Sequence, residues 1–143
     1  NEGRIIQIGS PHDIYDRPAT LYVAQLVGSP RINLLAAERD DGMLQVKDSL
    51  IQLSLEDQTV DMPPSCTMGV RPEDVLPQKD GDFSGSIILT EPLGVETVLH
   101  IRCGSQTLLS TVSGMTSWRI GEEIRFDVVR ERLHFFDLDG NRI

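Results

Sequence analysis

From Ser29 to its end the chain is a succession of short strand-like runs broken by turn chemistry. No other feature constrains the fold as tightly. The runs are "INLLAAE", "MLQVK", "LIQLSL", "CTMGV", "FSGSIILTEPL", "ETVLHIRC", "QTLLSTV", "EIRFDVV" and "HFFDL". Between them stand Asp41-Gly42, Asp80-Gly81-Asp82, Leu93-Gly94, Cys103-Gly104-Ser105, Ile120-Gly121 and Asp139-Gly140. Glycine, and aspartate to a lesser degree, accept the positive backbone angles that tight turns require. In "ETVLHIRC" Val98, His100 and Arg102 fall on one face and Thr97, Leu99 and Ile101 on the other, the period of a strand. Many short strands with frequent turns predict a mainly β domain, a small antiparallel barrel or sandwich. Its one helical punctuation is "RPEDV", where Pro72 begins a turn and Glu73 and Asp74 suit a helix start.

The first 28 residues have another texture. "GRIIQIG" reads as a short strand, with Ile6 and Ile8 on one face and Ile5 and Gln7 on the other. Ser10 is placed as an N-cap, Pro11 as the first helical residue and Asp13 as the acid of a capping box. Ile14 and Tyr15 anchor that helix, and Pro18 stops it. A second helix is expected from about Thr20 to Val27, with Leu21, Ala24 and Val27 at helical spacing and Gly28 ready as the residue after its end. These elements need a sheet or helix layer to pack on, and the chain is expected to lack one. The stretch is therefore expected to be the end of a truncated domain, with the Leu21, Ala24 and Val27 stripe exposed and favouring self-association.

Composition narrows the function classes. The chain has 143 residues and a formal net charge of −9, from 22 acids against 13 bases. Between Glu38 and Asp61 lie seven acids and only two bases, Arg39 and Lys47. Such a surface repels phosphate backbones and anionic lipid. One tryptophan, two tyrosines and four phenylalanines give no stacking platform, so no nucleic acid is expected as partner. No apolar run approaches the ~20 residues that span a bilayer, and the opening "NEGR" has no apolar signal core. Cys66 and Cys103 are too far apart for a metal knuckle or redox pair, and are expected to be buried, inert thiols.

The motifs of catalysis are missing from these residues. There is no phosphate-cradling "GxxxxGK[ST]" loop and no serine in a "GxSxG" elbow. His12, His100 and His134 lack metal-binding spacing. Glu91 and Glu96 bracket the "PLG" turn, and are read as its solvated rim rather than as an acid/base pair. No catalytic, cofactor or metal residue is expected.

Several of these segments coincide with one pattern. "GRIIQIGSPHDIYDRPATLYVAQLVGSPRINLL" resembles the end of the nucleotide-binding domain in ATPase subunits of bacterial carbohydrate importers, the ABC family that energises maltose and glycerol-3-phosphate uptake. "MGVRPEDV" is similar to that family's Gly-hydrophobic-Arg-Pro-Glu segment, "EPLGVETVLHI" to its hairpin, and "HFFDLDGNRI" to its closing strand. The resemblance implies two parts, residues 1–28 as the tail of a nucleotide-binding domain and residues 29–143 as an OB-like (TOBE, molybdate-sensor-like) regulatory β-barrel. ATP and magnesium would belong to the missing upstream region of the parent and none to this fragment. Implied partners are a second copy of the subunit, the membrane subunits of the transporter and a cytoplasmic regulatory protein. The implied location is the cytoplasmic side of the plasma membrane.

On this reading Gly28, Ser29 and Pro30 form the joint between the parts. Candidate interface or regulatory residues are Arg71, Glu73, Gly94, Glu96, Trp118, His134 and Phe136. Arg71 either pairs with Glu73 or a carboxylate across an interface, or stands exposed before its turn. Gly94 is expected to take a positive φ. His134, Phe135 and Phe136 are expected to close the barrel. A competing reading is a barrel that senses an oxyanion or small metabolite through Arg71, Arg102 and Arg119.

Overall fold

The fold is described from a computed structural model, over residues 1–55 and 61–143. Its strands are β1 (Asn33–Asp40), β2 (Met43–Val46), β3 (Gln52–Ser54), β4 (Ser65–Val70), β5 (Val75–Pro77), β6 (Phe83–Pro92), β7 (Glu96–Cys103), β8 (Gln106–Ser113), β9 (Glu123–Val128) and β10 (His134–Phe136). They form two five-stranded sheets, ordered β10-β4-β1-β2-β3 and β5-β9-β6-β7-β8, and every pairing is antiparallel. The domain is mainly β, as expected, and every run anticipated from Ser29 onward carries a strand. The short β5 was not anticipated: Leu76 and Pro77 sit directly behind the helical turn Pro72–Asp74, and only pairing with β9 makes them a strand.

Turn chemistry sets the register. Asp41 and Gly42 both have positive φ, 44° and 76°, so β1 and β2 are joined by the two-residue turn whose twist matches the strands. A bulge between Ile87 and Leu89 bends β6, letting its first half pair with β9 and its second with β7. The bend curls the second sheet until its outer strands meet, and the buried Ser110 Oγ on β8 donates to the carbonyl of Val75 on β5 at 2.7 Å. The result is a nearly closed, OB-like antiparallel barrel. One contiguous core joins both sheets, including Leu35, Leu44, Leu53 and Met68 from the first and Ile87, Leu99, Ile101, Leu108, Ile124 and Phe126 from the second. Asn33 ties them together: its side chain accepts from Leu109 N at 2.7 Å and donates to Leu109 O at 2.9 Å, so one amide stands in for a strand neighbour at the edge of β8.

The opening stretch departs from expectation in two ways. Residues 3–9 are not a strand: no ladder among the described residues pairs with them, and Ile5 and Ile8 are 80% and 84% exposed. Without a partner, alternation alone leaves the backbone bonds unmade. The helices α1 (Pro11–Asp16) and α2 (Leu21–Leu26) form as predicted, the first with the full Ser10–Asp13 capping box, the second with Thr20 accepting from Val23 N. Their apolar stripe, however, is covered. Ala24 is fully buried with Ile32 and Phe136, and Leu21 and Leu34 pack against that cluster. The last residues complete the attachment, since Leu21 N donates to Gly140 O and Arg142 N to Ala19 O, while Ile143 N donates to Phe135 O. The β region thus supplies the missing layer itself.

Candidate functional site

Four of the sequence-predicted residues, Arg71, Glu73, His134 and Phe136, gather where the two helices meet the barrel. Arg71 follows β4 directly and is 1% exposed, so it is neither a surface residue nor a partner of Glu73. One guanidinium nitrogen donates to Ala24 O at 3.1 Å and Val27 O at 2.7 Å, and the other to Tyr15 O at 3.0 Å. These carbonyls are the unsatisfied acceptors at the ends of α2 and α1, where the helix dipole is negative. The same guanidinium lies 4.0 Å from the Tyr15 ring centroid. Burial pulls its pKa below the usual arginine value, opposed by Asp74 and Asp16. Glu73 instead accepts from the Tyr15 hydroxyl. One arginine therefore staples both helices to the β region.

Around the staple the chain builds a polar cavity of about 290 Å³. Asp16 and Arg17 enter from the end of α1, Glu131 and Arg132 from the helical turn Arg130–Arg132, His134 from β10 and Arg142 from the closing segment. Arg132 is held by the buried Asp74 at 2.9 Å, which raises its pKa. His134 is 6% exposed, and its Nδ1 has no hydrogen-bond partner among the described residues. Burial, then the charges of Arg142, Arg71 and Arg132, push its pKa down to about 4, so the imidazole is neutral near pH 7. Burial and the neighbouring Arg17 lower the pKa of Arg142.

The remaining candidates lie apart. Phe136 is fully buried with Ala24 of α2, and His134 is buried too, so neither presents an outer surface. Trp118 is partly buried against the main core. Gly94 has φ +92° at the tip of the β6–β7 hairpin, and Glu96 begins β7. Glu91 meets not Glu96 but His100, at 2.5 Å across the same hairpin. In the joint, Gly28 has φ +95°, and a Cβ there would meet Arg71 and Tyr15 at 3.2 Å. Ser29 and Pro30 are joined by a cis peptide. Arg71 is committed to helix carbonyls, and Arg102 reaches the carbonyl of Gly104 at 3.4 Å.

Of the acidic Glu38–Asp61 stretch, residues 56–60 lie outside the described residues. In its visible part Glu38 is paired with Lys47 at 2.8 Å. Among the described residues no three acidic, cysteine or histidine side chains are placed to hold a metal ion, and no helix is long and apolar enough to cross a membrane. Cys66 and Cys103 are buried free thiols, and burial pushes the latter up to about 11.

Residues 68–136, from the middle of β4 to the end of β10, match the TOBE domain family. This segment is a TOBE domain. It contains the Arg71 staple, Asp74, Arg132 and His134, whereas Tyr15, Arg17 and Arg142 come from outside it. The chain as a whole is similar to import and transport ATP-binding proteins. It is 35% identical over 139 residues to the sn-glycerol-3-phosphate import ATP-binding protein UgpC of Ruegeria sp. (strain TM1040), over 96% of this chain and 38% of that protein. It is 31% identical over 147 residues to the alpha-glucoside transport ATP-binding protein AglK of Rhizobium meliloti (strain 1021), over 96% of this chain and 41% of that protein. The multiple sugar-binding transport ATP-binding protein MsmK of Streptococcus mutans serotype c is 30% identical over 150 residues, 96% of this chain and 40% of its own length. The chain thus spans about two fifths of the curated relatives it matches.

Around the TOBE domain, sequence reasoning missed Asn33, Arg17, Arg132 and Arg142. Asn33 left a signal, a lone amide inside the apolar run "INLL". The three arginines left none, being far apart in the chain and joined only by the fold.

Proposed function

We propose that this chain is the regulatory and dimerisation portion of the ATP-binding subunit of an ABC importer for sugars or sugar phosphates. The reading rests on one observation, its similarity over nearly the whole chain to ATP-binding proteins of such importers. The barrel performs no catalysis. ATP and magnesium bind in the parent subunit's nucleotide-binding domain, of which residues 1–28 are the tail and residues 29–143 the appended regulator. The parent sits on the cytoplasmic side of the membrane against the transporter's membrane subunits.

The barrel's contribution is tethering. Paired copies hold two ATPase domains at an effective concentration of roughly millimolar, so reclosure after hydrolysis needs no fresh encounter. A surface suited to a second copy lies at one end of the barrel. Leu93 and Val95 flank Gly94 at the β6–β7 tip, and Gly114 N donates to Val95 O at 2.7 Å, bringing Met115 alongside. Val95 and Met115 are 86% and 87% exposed, an apolar rim of the kind a partner covers. The same domain offers a cytoplasmic regulatory protein a surface from which to bias the open state.

Removing residues 29–143 from the full-length subunit tests this. Dimerisation is expected to weaken and ATPase control to be lost while nucleotide still binds. Unchanged association and unchanged control would overturn the reading.

A further inference from the structure

We propose that α1 and α2 move with the barrel as one rigid strut, and that the chain articulates upstream of Ser10 rather than at Gly28. On the function proposed above, on which this consequence rests, residues 10–28 end the nucleotide-binding domain by sequence but belong to the regulator by mechanics.

Three sets of contacts fix the strut. Arg71, at the end of β4, holds the carbonyls of Tyr15, Ala24 and Val27, so it grips both helices at once. The closing segment grips the link between them: Leu21 N donates to Gly140 O at 2.8 Å, Arg142 N to Ala19 O at 3.1 Å, and Thr20 is bridged to Asn141. Ala24 is fully buried with Ile32 and Phe136. A rotation about Gly28 would have to break all three sets together. The joint is itself packed, since a Cβ on Gly28 would stand 3.2 Å from both the Arg71 guanidinium and the Tyr15 ring.

Upstream the attachments thin out. The capping box of Ser10 and Asp13 closes the start of α1 with the helix's own residues, so nothing before Ser10 is needed to form it. Among the described residues, the hydrogen bonds from residues 1–9 to the chain beyond Ser10 are those of the Gln7 side chain, which donates to Arg17 O at 3.0 Å and accepts from Ala19 N at 2.8 Å. Ile6 is half-buried, while Ile5 and Ile8 are exposed. Gly3 has φ +77°, with open space where a Cβ would stand. A hinge needs a few residues that absorb backbone rotation without breaking packing. Residues 3–9 meet that requirement and residues 27–30 do not. A displacement of an ATPase domain would therefore enter at Ser10 and reach β4 through Arg71.

Spin labels test the strut in this chain, where no nucleotide is involved, so failure there leaves the transporter reading standing. His12 of α1 and Ser84 of β6 are exposed, whereas Cys66 and Cys103 are buried thiols that labelling spares. The His12→Cys, Ser84→Cys pair should give one narrow distance distribution, and the Ile5→Cys, Ser84→Cys pair a broader one. In the full-length subunit, bound ATP with magnesium should shift the second distance and leave the first unchanged. Truncation supplies an independent measurement. Residues 10–143 should keep the urea midpoint of the whole chain, and residues 29–143, with Arg71 and Phe136 uncovered, should lose it. The proposal is overturned by a broad or nucleotide-sensitive first distance, by a second distance that is as narrow or that ignores bound ATP, or by residues 29–143 proving as stable as the whole chain.

Discussion

Arg71 does what three separate caps would otherwise do. Its fork answers the terminal carbonyls of two six-residue helices, which are too short to persist without tertiary support. Arg71→Met would leave those acceptors unpaired, and the expected loss is about 3 kcal/mol of stability in urea denaturation. Amide exchange should locate the damage: residues 11–27 should lose protection while β6 to β9 keep theirs. Equal protection of the helices in the variant would refute the staple. His134 makes a second prediction at this scale. Its pKa is about 4 in the folded chain against an ordinary 6.5, with burial the main cause, Arg142, Arg71 and Arg132 adding to it and Asp16 opposing. Between those values the unfolded chain takes up a proton that the folded one does not, so stability falls as pH drops from 6.5 towards 4. His134→Leu should lack this share of the slope. Its stability relative to the parent should therefore rise on acidification, read from denaturant midpoints at pH 7 and pH 4.5, and a gap that does not change with pH would refute the neutral imidazole.

At the scale of elements, two sheets become one body through a few polar contacts at their edges. Asn33 satisfies both backbone groups of Leu109, and Asn33→Ala should cost about 2 kcal/mol because those groups lose a partner in a half-buried position. A chemical melt shows this directly, and a loss near zero would mean that water replaces the amide. A second clasp joins two hairpin turns. Ser105 N donates to Asp48 O at 2.9 Å, and Gly104, with φ +63°, leaves a gap in which a Cβ would stand 2.2 Å from that same oxygen. Strand positions were readable from alternation and turn residues because both depend on neighbours in the chain. "GRIIQIG" shows the limit, since a strand exists only where a second strand accepts its hydrogen bonds.

For the whole molecule, the separation into a helical stub and a barrel is less clean than the change of texture at Gly28 suggests. Gly140 to Ile143 bond to both Ala19–Leu21 and β10, and Phe136 packs with Ala24, so α2 and the closing segment are packed together. Association, if it follows the reading proposed above, should use the β6–β7 end rather than α2. Sedimentation equilibrium of the Leu93→Asp, Val95→Asp double variant should show at least a tenfold weaker dimer with an unchanged fold. Both side chains are exposed, and a charge there is costly only when a partner desolvates it. A dimer that survives the double charge would move the interface elsewhere.

The sequence alone determined the β character of the chain, the places of its turns, both helix starts and the helical turn after Arg71. Each of these depends on residues within a few positions of one another, where propensity and capping act. The tertiary structure decided the rest: which runs pair, that Arg71 turns inward, that Ala24 finds Phe136, and that Arg17, Arg132 and Arg142 share a cavity. Those outcomes depend on groups that are distant in the chain and adjacent only after the sheets have closed, and pattern within a window carries no information about them.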